Sequence, residues 1–381
     1  MHDASFSTVW SRLAGALRHD PTLTLLLLAL GLLAAVSDVP LALYPTLVDW
    51  ATMAALTGLL VLTKGVESSG GLQRLGGWLT GRLATERRAA LCLVLAAAVL
   101  STLLTNDVAL FVVVPLTLGI ARLTGLAQGT LLRLVVFEAL AVNAGSALTP
   151  MGNPQNLFLW QLSHASFVAF IRHMAPLVAV LMALLLLLTA LAFKGRALRL
   201  APRTADSAMD PPLLWLSLAL YAPFLVLTDL HQAGWAVAAV VLAMALLRPR
   251  VLAQTDWALL LVFVLMFVDL RLLAGLAPVR ALMASFDLVQ PQTLFLLGIA
   301  ASQLISNVPA VIALAEYTQD WQTLAYAVNV GGFGLVVGSL ANLIALRMVA
   351  DRRAWWVFHL YSVPFLLVSG LVVYLLWFWR L

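Results

Sequence analysis

Two stretches of this chain place polar residues where an apolar run would otherwise continue, and the pattern occurs twice in the same order. Leu104-Thr105-Asn106-Asp107 interrupts one run, and Ser306-Asn307-Val308 interrupts another 201 residues further on. A second set of marks follows each. Ala141-Val142-Asn143 with Gly145, Gly152 and Asn156 matches Ala327-Val328-Asn329 with Gly331, Gly338 and Asn342, every pair at a constant offset of 186. Such a duplication implies two related halves with interrupted helices, the plan of carriers whose binding site lies within a membrane.

Composition narrows the class. Of 381 residues 63% are hydrophobic and 10% charged, with mean hydropathy +1.01, whereas soluble domains average about 25% charged. Runs such as Leu23 to Val36 and Leu181 to Leu188 are continuous, not alternating, which excludes a β-barrel. The expectation is an all-α polytopic membrane protein. The formal charge of +5 falls in short basic clusters between apolar runs, a topology signal and not a nucleic-acid surface. The single cysteine, Cys92, lies in an apolar run, so it forms no intrachain disulfide and reads as packing.

Nine crossings are expected, at 22–37, 46–63, 132–152, 173–193, 212–228, 232–247, 257–273, 321–346 and 354–379. Two further apolar runs, 89–121 and 291–316, hold the polar triplets and read as re-entrant hairpins with arms too short to cross. Residues 1–20 are then a cytoplasmic N-terminus. Residues 21–193 form a first repeat with the hairpin 89–121 and a broken helix at 132–156. Residues 194–228 supply a linker and an odd crossing, and 229–381 form a second repeat with the hairpin 291–316 and a broken helix at 321–346. Asp49-Trp50 and Asp256-Trp257 open equivalent helices. Four crossings leave the next copy upright, so the extra span inverts the second repeat. Arg12, Arg18, the segment 64–88, Arg122, Arg133, Lys194 to Arg203, Arg248, Arg250, Arg347, Arg352 and Arg353 then share the cytoplasmic face, with Arg271, Arg280 and Arg380 opposite. This gives a multi-pass protein of a bacterial-type inner membrane with its C-terminus outside. Segments 64–88 and 274–290 suit interfacial arms, and Trp355, Trp356, Trp377 and Trp379 suit interfacial anchors.

Unpaired backbone at membrane depth must be buried in protein or face water. Carbonyls freed at the tips, with the hydroxyls of Thr105 and Ser306 and the amides of Asn106 and Asn307, are oxygen ligands a Na⁺ would use. Half-helix N-termini would instead attract an anion. The plainer reading makes these residues ordinary N-caps. The segment 143–156 (NAGSALTPMGNPQN) should unwind at Pro150, Pro154, Gly145 and Gly152, and its partner 329–342 (NVGGFGLVVGSLAN) breaks with glycines alone. Those glycines could equally serve close helix packing. The candidate substrate and ion ligands are therefore Thr105, Asn106, Asp107, Asn143, Gly145, Ser146, Thr149, Asn153, Asn156, Ser306, Asn307, Asn329, Gly331, Gly332, Ser339 and Asn342. Asp107 faces Val308 in the other repeat, which breaks the symmetry at one titratable group; it and Glu138 are the proton-coupling candidates. Asp269, next to Arg271, is a further functional-acid candidate for which an interfacial reading is at least as open, and Asp38, Asp49, Asp229 and Asp256 read as helix caps. His164, His173, His231 and His359 lack metal-ligand spacing.

At Leu104 to Asp107, Ala147 to Asn156, Ser306 to Pro309 and Val48 to Trp50 the chain resembles the ion-transporter superfamily. That superfamily includes arsenite-efflux permeases, divalent-anion/sodium symporters, citrate–metal carriers and a sodium/proton antiporter branch. The resemblance spans nearly all of residues 20–380 and implies a homodimer with a scaffold, a mobile part holding both hairpins, and elevator-like alternating access. In the symporter branch both tips read Ser-Asn-Thr and hold sodium and substrate carboxylates. Here Thr105-Asn106-Asp107 is closer to the arsenite-permease branch. Carried over, Asn106 and Asn307 are tip ligands, and Asn143, Gly145, Thr149, Asn329 and Gly331 line the opposing breaks.

The functional expectation is a secondary active transporter of a small anion, metalloid oxyanion or carboxylate, coupled to H⁺ or Na⁺. A Na⁺/H⁺ antiporter working through Asp107 is the alternative within transport. An intramembrane enzyme is disfavoured, because no His-Glu-x-x-His motif and no apposed Ser/His pair occurs. A passive channel would not need the paired hairpins. No nucleotide-binding P-loop is present, no cofactor beyond a coupling ion is called for, and the partners are the small-ion substrate and membrane lipid.

Overall fold

The computed structural model describes residues 21–72, 74, 85–198 and 209–379. The expected cytoplasmic N-terminus, most of the arm after Lys64 and part of the 194–228 linker lie outside the described residues. Among those described, regular structure is helical apart from one isolated bridge between Thr85 and Ala197.

The first half runs α1 (Pro21–Val36), a 3-10 turn (Leu41–Leu47), α2 (Trp50–Ser68), α3 (Glu86–Leu103), α4 (Asn106–Thr124), α5 (Gln128–Ser146), α6 (Pro154–Ser163) and α7 (Phe167–Ala192). After α8 (Pro211–Asp229) come α9 (Ala233–Leu247), the short α10 (Pro249–Gln254), α11 (Trp257–Gly275) and α12 (Ala277–Ala284). These are followed by α13 (Pro291–Ile305), α14 (Asn307–Leu314), α15 (Trp321–Val330), α16 (Leu340–Val349) and α17 (Arg353–Val373), the last ending in a π turn. Helix starts follow local chemistry. Asp49, Asp210, Asp256 and Asp320 each accept the amide three residues on, at 2.9, 3.0, 3.1 and 3.0 Å. Asp49 and Asp256 therefore cap as expected. Asp229 instead accepts the amide of Phe167 at 2.6 Å, tying the end of α8 to the start of α7.

Among the described residues six helices, α4, α5, α7, α8, α11 and α17, are long and apolar enough to cross a bilayer, and α2 with the preceding 3-10 turn makes a seventh, bent by 59°. Helices α1 and α9, with 16 and 15 residues, fall short of the ~20 residues that span about 30 Å of hydrocarbon. The second broken helix is two pieces of 10 residues each. The first hairpin departs from expectation. Its second arm, α4, has 19 residues because Arg122 sits in its last turn and the helix closes only at left-handed Gly125, φ 63°. A pair of crossings and a re-entrant pair both return the chain to its starting side, so the parity argument is unaffected.

The packing is reciprocal. Arm α3 lies on α5 and arm α13 on α15; α16 crosses α4 and α5 while α6 crosses α14 and α15; α1 meets α11 while α2 meets α9. The centre is α5, buried along almost its whole length from Leu131 to Ser146. Close approach needs glycine there. A Cβ on Gly145 would fall 2.2 Å from the Ala98 carbonyl of α3, and one on Gly331 would fall 2.6 Å from the Ser302 side chain of α13. By contrast α8 and α17 expose large side chains such as Trp215, Val226, Trp356 and Leu367, as lipid-facing helices do. Cys92 is also exposed, so it does not serve internal packing.

Candidate functional site

One break lies between Ser146 of α5 and Pro154 of α6 and the other between Val330 of α15 and Leu340 of α16, and the two face each other across the core. Asn143, in the last turn of α5, donates to Oδ1 of Asn342 on α16 at 2.7 Å; Asn329, near the end of α15, donates to Oδ1 of Asn156 on α6 at the same distance. These two bonds exchange the same partners between the halves. The next layer repeats the exchange: the Ser339 hydroxyl donates to Asn143 Oδ1 at 3.0 Å, and Asn153 donates to Asn329 Oδ1 at 3.2 Å and to the Ser146 hydroxyl at 3.1 Å. Asn342 reaches the Gly332 carbonyl at 3.0 Å, and Asn156 reaches the carbonyls of Ser146, Ala147 and Thr149 at 3.4, 3.0 and 3.3 Å. All five asparagines are at most 4% exposed. Buried amides must be paired, and here they pair with one another.

The hairpin tips meet these breaks. The amide of Asn106 donates to the Gly152 carbonyl at 2.9 Å. A methyl group on Gly332 would lie 3.3 Å from Asn307 Nδ2, so the second tip reaches the break between α15 and α16. Two residues absent from the sequence reading fasten hairpin to break. Thr102 donates to the Gly145 carbonyl at 2.8 Å, and Gln303 donates to the Gly331 carbonyl at 2.6 Å while accepting from Leu335 N at 2.8 Å. They stand 201 residues apart, the offset of the tips themselves, which was the available signal. Thr149 bonds the Thr102 carbonyl at 2.7 Å and so braces the same junction.

Thr105 and Ser306 occupy N-cap positions, yet neither side chain makes a capping bond. Elsewhere Thr85, Asn153 and Ser166 cap in the ordinary way. The tips also differ from each other. At the first, the Asp107 amide is taken by Asn106 Oδ1 at 3.0 Å. At the second, Ser306 holds φ 76°, in the left-handed region, and the Asn307 side chain and the Asn307 and Val308 amides have no partner among the described residues. The helix of α14 thus presents open N–H groups beside a 2%-exposed amide, an arrangement that receives negative charge.

The acids separate. Asp107, half-buried beside the first tip, makes no side-chain bond among the described residues. Glu138 is fully buried and takes the Thr117 hydroxyl of α4 on one oxygen, leaving the other without a partner; it does not join the amide network. Asp269 is not paired with Arg271: both its carboxyl oxygens are buried and without partners among the described residues, while Arg271 bonds Glu316 at 2.9 Å and the Leu47 carbonyl at 2.7 Å. No group of three metal-ligating side chains occurs among the described residues.

Residues 9–328 match the citrate transporter family. The chain is 49% identical over 352 residues to the inner membrane protein YbiR of Escherichia coli, covering 92% of this chain and 94% of that protein. It is 30% identical over 334 residues to an uncharacterized transporter of Methanocaldococcus jannaschii, covering 87% and 90% respectively. A 46 kDa membrane protein of Mycobacterium leprae is 24% identical over 369 residues. One of these relatives is named a transporter and the others membrane proteins, which agrees with a core built from broken helices. The chain is a multi-pass membrane transporter and belongs to the citrate transporter family.

Proposed function

We propose that the chain is a secondary active transporter that carries a small anion, a carboxylate such as citrate before a metalloid oxyanion, coupled to H⁺ or Na⁺. The observation that carries this reading is the second tip: an uncapped helix start whose amides and Asn307 side chain have no partners among the described residues. The unpaired N–H groups of this helix start favour a ligand that brings oxygen atoms. The family name supports a carboxylate. The same reading takes both hairpins and both broken helices as one moving body in an elevator-like cycle, the repeats as inverted copies, and the assembly as a homodimer. The name of the Escherichia coli relative supports an inner membrane setting. The reciprocal contacts between the halves support the inverted repeats.

The alternative, exchange of Na⁺ for H⁺, needs oxygen ligands. The carbonyls freed at the breaks, of Gly145, Ser146, Thr149, Gly152, Gly331 and Gly332, already accept hydrogen bonds. The hydroxyls of Thr105 and Ser306 and the Asn307 amide oxygen are left for such an ion, and the unpaired backbone amides beside them weigh toward an anion. Proteoliposomes loaded under an imposed pH gradient and then an imposed Na⁺ gradient, with radiolabelled citrate outside, test the reading. Gradient-driven citrate uptake is expected, and Asn307→Ala should lower it at least tenfold while the folded protein is recovered in normal amount. Na⁺-driven proton movement with no anion flux would replace this reading with antiport.

A further inference from the structure

Helices α7 and α17 leave an apolar groove between them. Leu184, Leu187, Leu188 and Leu191 form one wall and Pro364, Phe365 and Val368 the other, around a cavity of about 190 Å³. Leu187, Leu191 and Val368 are 59%, 75% and 50% exposed, so the groove is open along its length. Every lining side chain is apolar, which suits a hydrocarbon chain.

Both walls run into the surroundings of one cation. Arg133 of α5 donates from Nη1 to the carbonyl of Ala192, the residue after Leu191, at 2.5 Å. Its guanidinium carbon stands 5.6 Å from the ring centre of Phe193 and 5.7 Å from that of Tyr361, which lies one helical turn before Pro364 and Phe365. One turn further along α5, Phe137 meets the same two rings edge-on at 5.4 and 5.2 Å, which places α5 behind the groove. The groove therefore ends at the guanidinium. Arg133 Nε is buried without a partner, and neither Nη2 nor the Tyr361 hydroxyl makes a hydrogen bond among the described residues. Buried N–H groups are normally paired, and a guanidinium is shaped to take two oxygens of one phosphate.

Charge at this end of the groove is one-sided. Arg87 holds the Phe193 carbonyl through Nε at 2.9 Å, and Arg87, Arg88, Lys194 and Arg196 are all exposed. They are brought together where the amides of Glu86 and Arg87 meet the carbonyls of Arg196 and Lys194. Glu86 is the acid of this group, and none of its cations, Arg133 included, forms an ion pair among the described residues. Asp351, ahead of α17, is taken by Arg353 at 2.9 Å and Gln128 at 3.0 Å.

We propose that this groove binds one anionic glycerophospholipid, with its phosphate on Arg133 and Tyr361, Lys194 and Arg196 at the same helix end, and an acyl chain laid between α7 and α17. Basic pockets between membrane helices recognise lipid in this way. A zwitterionic lipid fits the same apolar walls but brings its own cation to a site that is already positive. A second copy of this chain would bring the same cations again. The site lies apart from the broken helices and holds whatever the transported substrate is.

The full-length protein in nanodiscs tests this without any transport assay. A bimane label at Leu187→Cys, on a Cys92→Ser background, reports the groove, and one at Leu246→Cys, an exposed position on α9, reports ordinary surface. Brominated-chain phosphatidylglycerol should half-quench the groove label at about fivefold lower mole fraction than brominated-chain phosphatidylcholine, the effect of one cation engaged by an anionic headgroup. The α9 label should show no such preference, and Arg133→Gln should remove it from the groove. If Arg133→Gln does not fold, Lys194→Gln with Arg196→Gln, whose exposed side chains make no hydrogen bonds among the described residues, should weaken it instead. Equal quenching by the two lipids, the same preference at Leu246, or a preference untouched in the variant that folds each overturns the proposal. So does a groove label that neither lipid quenches, the result expected if a second copy covers it.

Discussion

Asparagine serves two purposes in this core, and the hydrogen bonds separate them. Asn143, Asn153, Asn156, Asn329 and Asn342 are bound into a closed frame, whereas Asn307 is not. Replacing Asn156 by alanine strips one acceptor from Asn329 and a donor from each of three carbonyls, each unmet buried group costing about 1–3 kcal/mol. The expected result is a clear drop in unfolding temperature in detergent, by several degrees, before any question of transport arises. Asn307→Ala should leave that temperature nearly unchanged. Equal destabilisation by both variants would contradict the division. The sequence made all of these residues visible together, because an amide inside an apolar run has few reasons to be there. It could not sort them, since which amide meets which depends on helices crossing between residues 143 and 342. Asp269 stood between two readings for the same reason, a functional acid or an interfacial residue beside an arginine, and only the fold gives Arg271 to Glu316 and Leu47.

Helices were legible where composition changed sharply and illegible where it did not. The tips at Thr105 and Ser306 and the breaks near Gly145 and Gly331 came from polar and glycine residues in mid-run. The length of α4 did not, because Arg122 looked like the end of an apolar arm when it lies within the last helical turn. There a cation is favoured by the helix dipole. Close packing of hairpin on broken helix makes a prediction of its own. Gly145→Ala would drive a methyl group into the Ala98 backbone, which cannot retreat without moving α3, and overpacking of this sort costs about 1–3 kcal/mol or more. Gly331→Ala meets mainly the Ser302 side chain. Adding Ser302→Gly should therefore recover much of the unfolding temperature lost in Gly331→Ala. No such recovery is expected for Gly145→Ala, since Ala98 clashes through its backbone; rescue of neither variant, or of both, would show that the contacts are not what makes glycine necessary.

The molecule as a whole is held by exchange between its halves. Each broken helix finds its partners in the other, and α1 with α11 and α2 with α9 repeat the exchange at the periphery. Neither half can satisfy its own buried amides alone. Separate expression of residues 1–203 and 204–381 should give two unstable products, while co-expression should restore a complex that survives purification through a tag on one piece. Stable, monodisperse recovery of either piece alone would refute mutual dependence. The twin 2.7 Å bonds, Asn143 to Asn342 and Asn329 to Asn156, also bear on ancestry. Where one half's donor is the other half's requirement, a change at these positions in one half calls for a matching change in the other. Positions the exchange does not reach are free of that constraint, and Asp107 opposite Val308 is one where the two halves differ by an acid.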